Sequence, residues 1–307
     1  MGICELQKKE MVNEYHYPVM YREVLEFLKP KESRIVIDCT FGMGSHAYKM
    51  LETMKADAHL VGIDKDQNSL DIAAIKLEPF KGRFTLVKDN FIHLDKILEE
   101  LNIEKADIFL FDLGISTYQL NDAERGFSFQ KEGPLDMRMD QDSFLSAYDL
   151  INNLSENELE NIFRKFGEER YSRRIAHLIM LQRKNNPIST TAQLAEVIVK
   201  AVPLKNRYDR IHPATRVFQS LRIAVNRELE ALQVGLIKAL SLLGKDARIG
   251  VISFHSLEDR VVKHIFRDYA HRGLLKLITK KPVVASETEK EENPASRSAK
   301  LRVAQRV

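Results

Sequence analysis

The stretch Val36 to Met50, VIDCTFGMGSHAYKM, decides how this chain is read. An apolar run ends on Asp38, glycines follow at 42 and 44, and a helical pattern opens with Ala47. The spacing Gly42-x-Gly44-x-x-Ala47 suits a nucleotide-binding turn between a strand and a helix. Glycine permits the tight bend and lets the backbone approach a ligand at the helix N-terminus. Such a turn is accompanied by an acidic residue about twenty positions on. Here that residue is Asp64, in VGIDKD.

Working outward, apolar runs at 34–39, 59–63, 83–87 and 106–111 alternate with helical patterns near 46–54, 68–77 and 91–101. Strands too apolar for one-sided burial belong in a parallel sheet covered on both faces. Their alternation with helices predicts a doubly wound α/β sheet. A helix over 21–28, closed by Pro30, precedes it.

From about residue 121 to 213 the sequence offers no strand. It offers amphipathic helices at 156–165 and 173–183, and one capped by Thr190 that is stopped by Pro203. A long helix over 214–243 and a buried strand over 248–254 follow. Runs at 274–279 and 299–304 can pair antiparallel, and the acidic run 287–292 reads as a solvated loop. The expected organisation is one α/β domain made of 1–120 and 214–307, interrupted by a helical domain over 121–213.

Composition bounds the function. Of 307 residues, 44% are apolar and 30% charged, an ordinary globular balance, and the net charge is only +3. A nucleic-acid partner would therefore need basic residues clustered locally. The two cysteines, Cys4 and Cys39, make neither a disulfide framework nor a zinc site, which points to a reducing compartment and no metal. No apolar stretch approaches the ~20 residues that span a bilayer. The start, MGICELQKKEM, lacks a signal-peptide core, and Leu6 stands where myristoylation requires Ser or Thr. A cytoplasmic protein is expected.

Charge selects among ligands. Asp38, Asp64 and Asp112 each close a predicted strand, and in such a sheet those ends line one crevice. Three carboxylates oppose a pyrophosphate but suit S-adenosylmethionine, which carries a sulfonium, an ammonium and a ribose. Asp64 would take the ribose hydroxyls, and Asp38 and Asp112 would face the cationic end. No G-x-x-x-x-G-K-[ST] P-loop occurs. The favoured cofactor is S-adenosylmethionine, with NAD the alternative.

The segment FDLGISTYQLNDAERGFSFQKEGPLDMRMD, from Phe111 to Asp140, resembles the bacterial 16S rRNA (cytosine-N(4))-methyltransferase family, the MraW-type enzymes. Further blocks agree, in order, over nearly the whole chain. They are HYPVMYREVLEFLKP at His16, DCTFGMGSHA at Asp38, FGEERYSRRIA at Phe166, HPATRVFQSLRIAVNRELEAL at His212, VISFHSLEDRVVK at Val251 and NPASRSAKLR at Asn293. The resemblance implies a class I methyltransferase fold with a helical insertion, acting on the decoding region of small-subunit rRNA. It also implies cofactor contacts at Gly42, Gly44, Ser45, His46, Asp64, Phe91, Asp112 and Gln119. Where the family has Gly-Gly-His, this chain has Gly44-Ser45-His46, and a positive φ at 45 would penalise the serine. The family's Pro-Gly-Gly-Arg is replaced by Gly244 to Arg248, remote from the chemistry.

Methylating an exocyclic amine calls for a group that accepts hydrogen bonds from a weak nucleophile and aligns it. Asp112 is the first candidate. Two readings stand for His255: a base contact or proton acceptor, and a capping or packing residue. Ser256 and Asp259 fit a capping box. Phe127 and Phe129 suit either stacking on a flipped-out base or core packing. Arg138, Arg173, Arg174, Arg216 and Arg222 are candidate phosphate contacts within a basic cluster that includes Arg164, Lys165, Arg170, Arg183, Lys184, Lys205, Arg207 and Arg210. The partner would be 16S rRNA or the small subunit, with the oligomeric state open and a homodimer compatible. Alternatives are a methyltransferase with another substrate, and a non-catalytic rRNA-binding assembly factor with a vestigial pocket.

Overall fold

A computed structural model describes residues 17–207 and 211–307. Cys4, Leu6, His16 and Arg210 lie outside the described residues. The chain divides into two compact units: one comprises the described residues up to Gly114 together with Leu229–Val307, and the other Ile115–Glu228.

The first unit is built on β1 (Ile35–Asp38), β2 (His59–Asp64), β3 (Phe84–Lys88), β4 (Ala106–Asp112), β5 (Leu243–Ser253), β6 (Leu275–Leu277), β7 (Val283–Val284) and β8 (Lys300–Arg306). Their order is β3-β2-β1-β4-β5-β8-β6, with β7 also paired to β8. The pairings from β3 through β5 are parallel, whereas β8 runs antiparallel to β5, β6 and β7. Side chains alternate across a strand. On β4, Phe109 and Phe111 accordingly enter one core with Ile37, while Ile108 and Leu110 enter a second with Val36. Both faces are covered, which is why these strands read as unbroken apolar runs. This is the class I methyltransferase sheet that the sequence predicts, including the antiparallel pairing near the end of the chain.

Three elements differ from expectation. The acidic run forms a helix, Glu287–Glu292, because Ser286 caps it, and buried Glu289 accepts a hydrogen bond from the Met20 N–H at 2.6 Å. The helix expected over 214–243 is two, Ala214–Asn226 and Glu228–Leu242, broken where Arg227 adopts φ 49°. The late strand starts earlier, at Leu243, with an irregular register opposite β4 between Ala106 and Ile108.

The second unit holds helices Thr117–Asn121, Ala147–Asn153, Glu156–Gly167, Ser172–Asn185, Thr191–Ala201 and Ala214–Asn226. Ser116, Ser146, Ser155 and Thr190 each begin a helix with a reciprocal capping box. Val217, Phe218 and Leu221 pack with Phe163, Ile175 and Leu194 in its core. That packing carries the helix at 214 into this unit, so its borders fall at 115 and 228 where 121 and 213 were expected.

Candidate active site

Strand β1 pairs in parallel with β2 on one side and β4 on the other, so the chain's connections diverge from it in opposite directions. A crevice opens outside the carboxyl ends of the strands at such a switch point. Asp38 ends β1, Asp64 ends β2 and Asp112 ends β4.

Each carboxylate is held differently. Asp38 is 1% exposed and accepts a hydrogen bond from the Thr40 N–H at 3.2 Å. Burial pushes its pKa up to about 7, with Asp112 and Asp64 adding to the effect and His46 and the Thr40 N–H opposing it. Asp64 accepts from Gly42 N–H at 2.6 Å on Oδ2 and from Asp66 N–H at 2.9 Å on Oδ1, which ties the glycine turn to β2. Burial raises its pKa too, against those two donors. Asp112 donates its own N–H to Thr40 Oγ1 at 2.6 Å. Its Oδ2 lies 3.4 Å from His46 Nδ1, while its Oδ1 is buried with no hydrogen-bond partner among the described residues.

The turn itself follows from its glycines. Gly42 and Gly44 take φ 51° and 70°, torsions that side chains resist, and Gly44 caps helix Ser45–Thr53. A Cβ on Gly42 would meet nothing within 4 Å, so the turn is open there. The ring of Phe41 seals the other side. It lies so close to Gly62 that a Cβ there would fall within it, and 3.1 Å from the position of a Cβ on Gly44. Gly62, on β2, thus makes room for the ring that backs the turn, though no motif spacing marks it.

The model of the MraW methylase family matches residues 13–307. This chain belongs to the MraW methylase family. Among its relatives, ribosomal RNA small subunit methyltransferase H of Persephonella marina is 48% identical over 292 residues, covering 95% of this chain and 99% of that protein. The proteins of the same name from Sulfurihydrogenibium sp. and Geotalea uraniireducens are 48% and 47% identical, each aligned over 95% of this chain and 99% of the relative.

The residues present fit the methylase cofactor, S-adenosylmethionine. A buried carboxylate oxygen without a donor, two further acids and an open glycine turn make a site for a cationic ligand that bears hydroxyl groups. The family departure at Ser45 carries no torsional penalty, because Ser45 is an ordinary first helical residue and only its neighbours 42 and 44 have positive φ. Its hydroxyl instead accepts from Lys76 Nζ at 2.7 Å. Phe91 packs edge-on against Phe111, ring centres 5.5 Å apart, and is 9% exposed. Gln119 belongs to the other unit, where its Oε1 accepts from the Ser116 N–H at 3.2 Å within the capping box.

His255 is the cap of helix Ser256–His271. Its Nδ1 accepts the Glu258 N–H at 3.3 Å, and its Nε2 lies 3.2 Å from Glu258 Oε1, the arrangement of a capping residue. Of the two readings of His255, the geometry favours the capping one. The box partner is Glu258, and Asp259 instead receives both arms of Arg302 at 2.6 and 3.1 Å.

Of the RNA candidates, Phe127 is buried in the helical core, and its ring lies under the Arg125 guanidinium. Phe129 stacks on His212 with ring centres 4.5 Å apart. Arg138 forks onto Asp136 at 2.7 and 2.8 Å and reaches the Ser143 carbonyl. Arg222 pairs with Glu228 at 2.9 and 3.0 Å, and Arg216 donates to the Glu168 carbonyl. Arg183 and Arg207 likewise serve carbonyls, those of Ile151, Leu154 and Val202. Arg173 and Arg174, by contrast, are exposed in the first turn of helix Ser172–Asn185.

Proposed function

We propose that this chain transfers the methyl group of S-adenosylmethionine to the exocyclic amino group of a cytidine in the decoding region of 16S rRNA. Support comes from the relatives named ribosomal RNA small subunit methyltransferase H, aligned over 99% of their length. The observation that carries the chemistry is the unpartnered Asp112 Oδ1 at the sheet edge where Asp38 and Asp64 also end their strands.

When bound, the sulfonium supplies an electrophilic methyl carbon. Asp64 accepts hydrogen bonds from the ribose hydroxyls while tying the glycine turn to β2. Asp38 and Asp112 supply the negative field that favours a cation. Asp112 Oδ1 accepts an N–H of the cytosine amine, which draws its lone pair out of the ring and orients it; the proton lost on methylation leaves through the same contact. Exposed arginines of the helical unit, Arg173 and Arg174 first, hold rRNA phosphates. The partner is 16S rRNA or the small subunit, in the cytoplasm.

Mass spectrometry of 16S rRNA from cells with and without the gene tests the site: loss of one methyl at a decoding-region cytidine is expected, and an unchanged rRNA overturns the reading. With purified protein, Asp112→Ala is expected to abolish labelled methyl incorporation into rRNA or subunits, by about 10² or more. Calorimetry with S-adenosylmethionine separates this from a vestigial pocket, which would bind no cofactor.

A further inference from the structure

Both ring nitrogens of His46 are engaged by the protein itself. The ring is 6% exposed, with Nε2 2.9 Å from the Val19 carbonyl and Nδ1 3.4 Å from Asp112 Oδ2. A carbonyl oxygen only accepts, so Nε2 carries a hydrogen. A neutral ring would then turn a bare Nδ1 lone pair toward a carboxylate, two acceptors face to face. A proton on Nδ1 converts that contact into an ion pair. The groups facing the ring are Asp112 from β4, Asp38 from β1, Glu289 from helix Glu287–Glu292 and the Val19 carbonyl, all acidic or accepting. Burial alone would lower the His46 pKa; Asp112, Asp38 and the Val19 carbonyl outweigh it, and the pKa is raised.

We infer that His46 is a positioning residue, an imidazolium that clamps Asp112 Oδ2 and leaves Oδ1 as the acceptor offered to the substrate amine. The role belongs to the side chain, whose two ring nitrogens are both engaged within the protein. The pKa of Asp38, beside the pair, is pushed by burial up to about 7. The role in catalysis rests on the methyltransferase reading; the charge state of the pair does not.

Nitrogen-15 NMR of the imidazoles in the full chain, without substrate, reads the pair directly. His46 is expected to be doubly protonated at pH 7 and to titrate above the ordinary histidine value, and Asp112→Asn is expected to lower that titration. A neutral Nε2–H tautomer at pH 7 would overturn the inference. In the methylation assay His46→Gln is expected to lower kcat by about 10²-fold, the scale of a misplaced catalytic group, with KM for S-adenosylmethionine little changed. The alkaline limb of the wild-type pH profile, where His46 loses its proton, is expected to vanish in that variant. A loss confined to KM or to thermal stability, with the profile intact, would also overturn it. A wild-type chain that methylates no rRNA sinks the functional reading instead, while the NMR result still decides the pair.

Discussion

Asp38 is where burial and function meet most directly. Its carboxyl is raised from near 3.8 to about 7 chiefly because it is buried. The folded chain therefore favours the protonated form. On this group's account, stability is fully present below the ordinary value and is lost as pH rises toward 7. A bound cation reverses that preference by favouring the carboxylate. We expect S-adenosylmethionine to bind several-fold more tightly at pH 8 than at pH 6, with proton release that calorimetry in buffers of different ionisation enthalpy would count. In Asp38→Asn both the proton release and that pH dependence should shrink by the share Asp38 contributes. Asp38, Asp64 and Asp112 were legible in the sequence because each closes a strand-like run. The capping geometry of His255 was not, since a histidine after a late strand looks the same whether it caps or catalyses. Nor were the partners of Arg138 and Arg222, because Asp136 and Glu228 lie two and six residues away, spacings that no helical face prescribes.

At the scale of elements, the glycine turn depends on a packing contact outside its motif. Phe41 fills the space over Gly62 and borders Gly44, so Gly62→Ala must displace the ring. Overpacking of this kind costs about 1–3 kcal/mol. Thermal unfolding of Gly62→Ala should show that loss, and cofactor affinity should fall with it because the ring backs the turn; an unchanged melting temperature would mean the ring moves freely. The first four strands were readable to within a residue or so, since hydrophobic period and caps specify them locally, whereas the late strand begins five residues before its expected start. The helix Glu287–Glu292 was not readable, because its purpose is distant: Glu289 meets the N–H of Met20, 269 positions earlier in sequence. The break at Arg227 carries no sequence signal for a related reason, as no glycine or proline marks the left-handed residue there.

Taken whole, the molecule pairs a sheet unit that gathers the acids with a helical unit that has its own core and carries the exposed arginines. If Arg173 and Arg174 grip phosphates, rRNA affinity should fall steeply with added salt, by a slope of about 0.7–0.9 per phosphate contact. Reversing both charges to glutamate should weaken binding and flatten that slope, while cofactor binding stays unchanged; a slope near zero in the wild type would remove these residues from the interface. The helical unit leaves the sheet unit after Gly114 and returns at Leu229, between β4 and β5, which are parallel neighbours. Parallel neighbours need a crossover of a dozen or more residues in any case, and lengthening a connection costs only logarithmically in chain entropy. If the helical unit selects the substrate, that junction is a natural socket, where a foreign module could be transplanted to redirect the methyl donor to a new target.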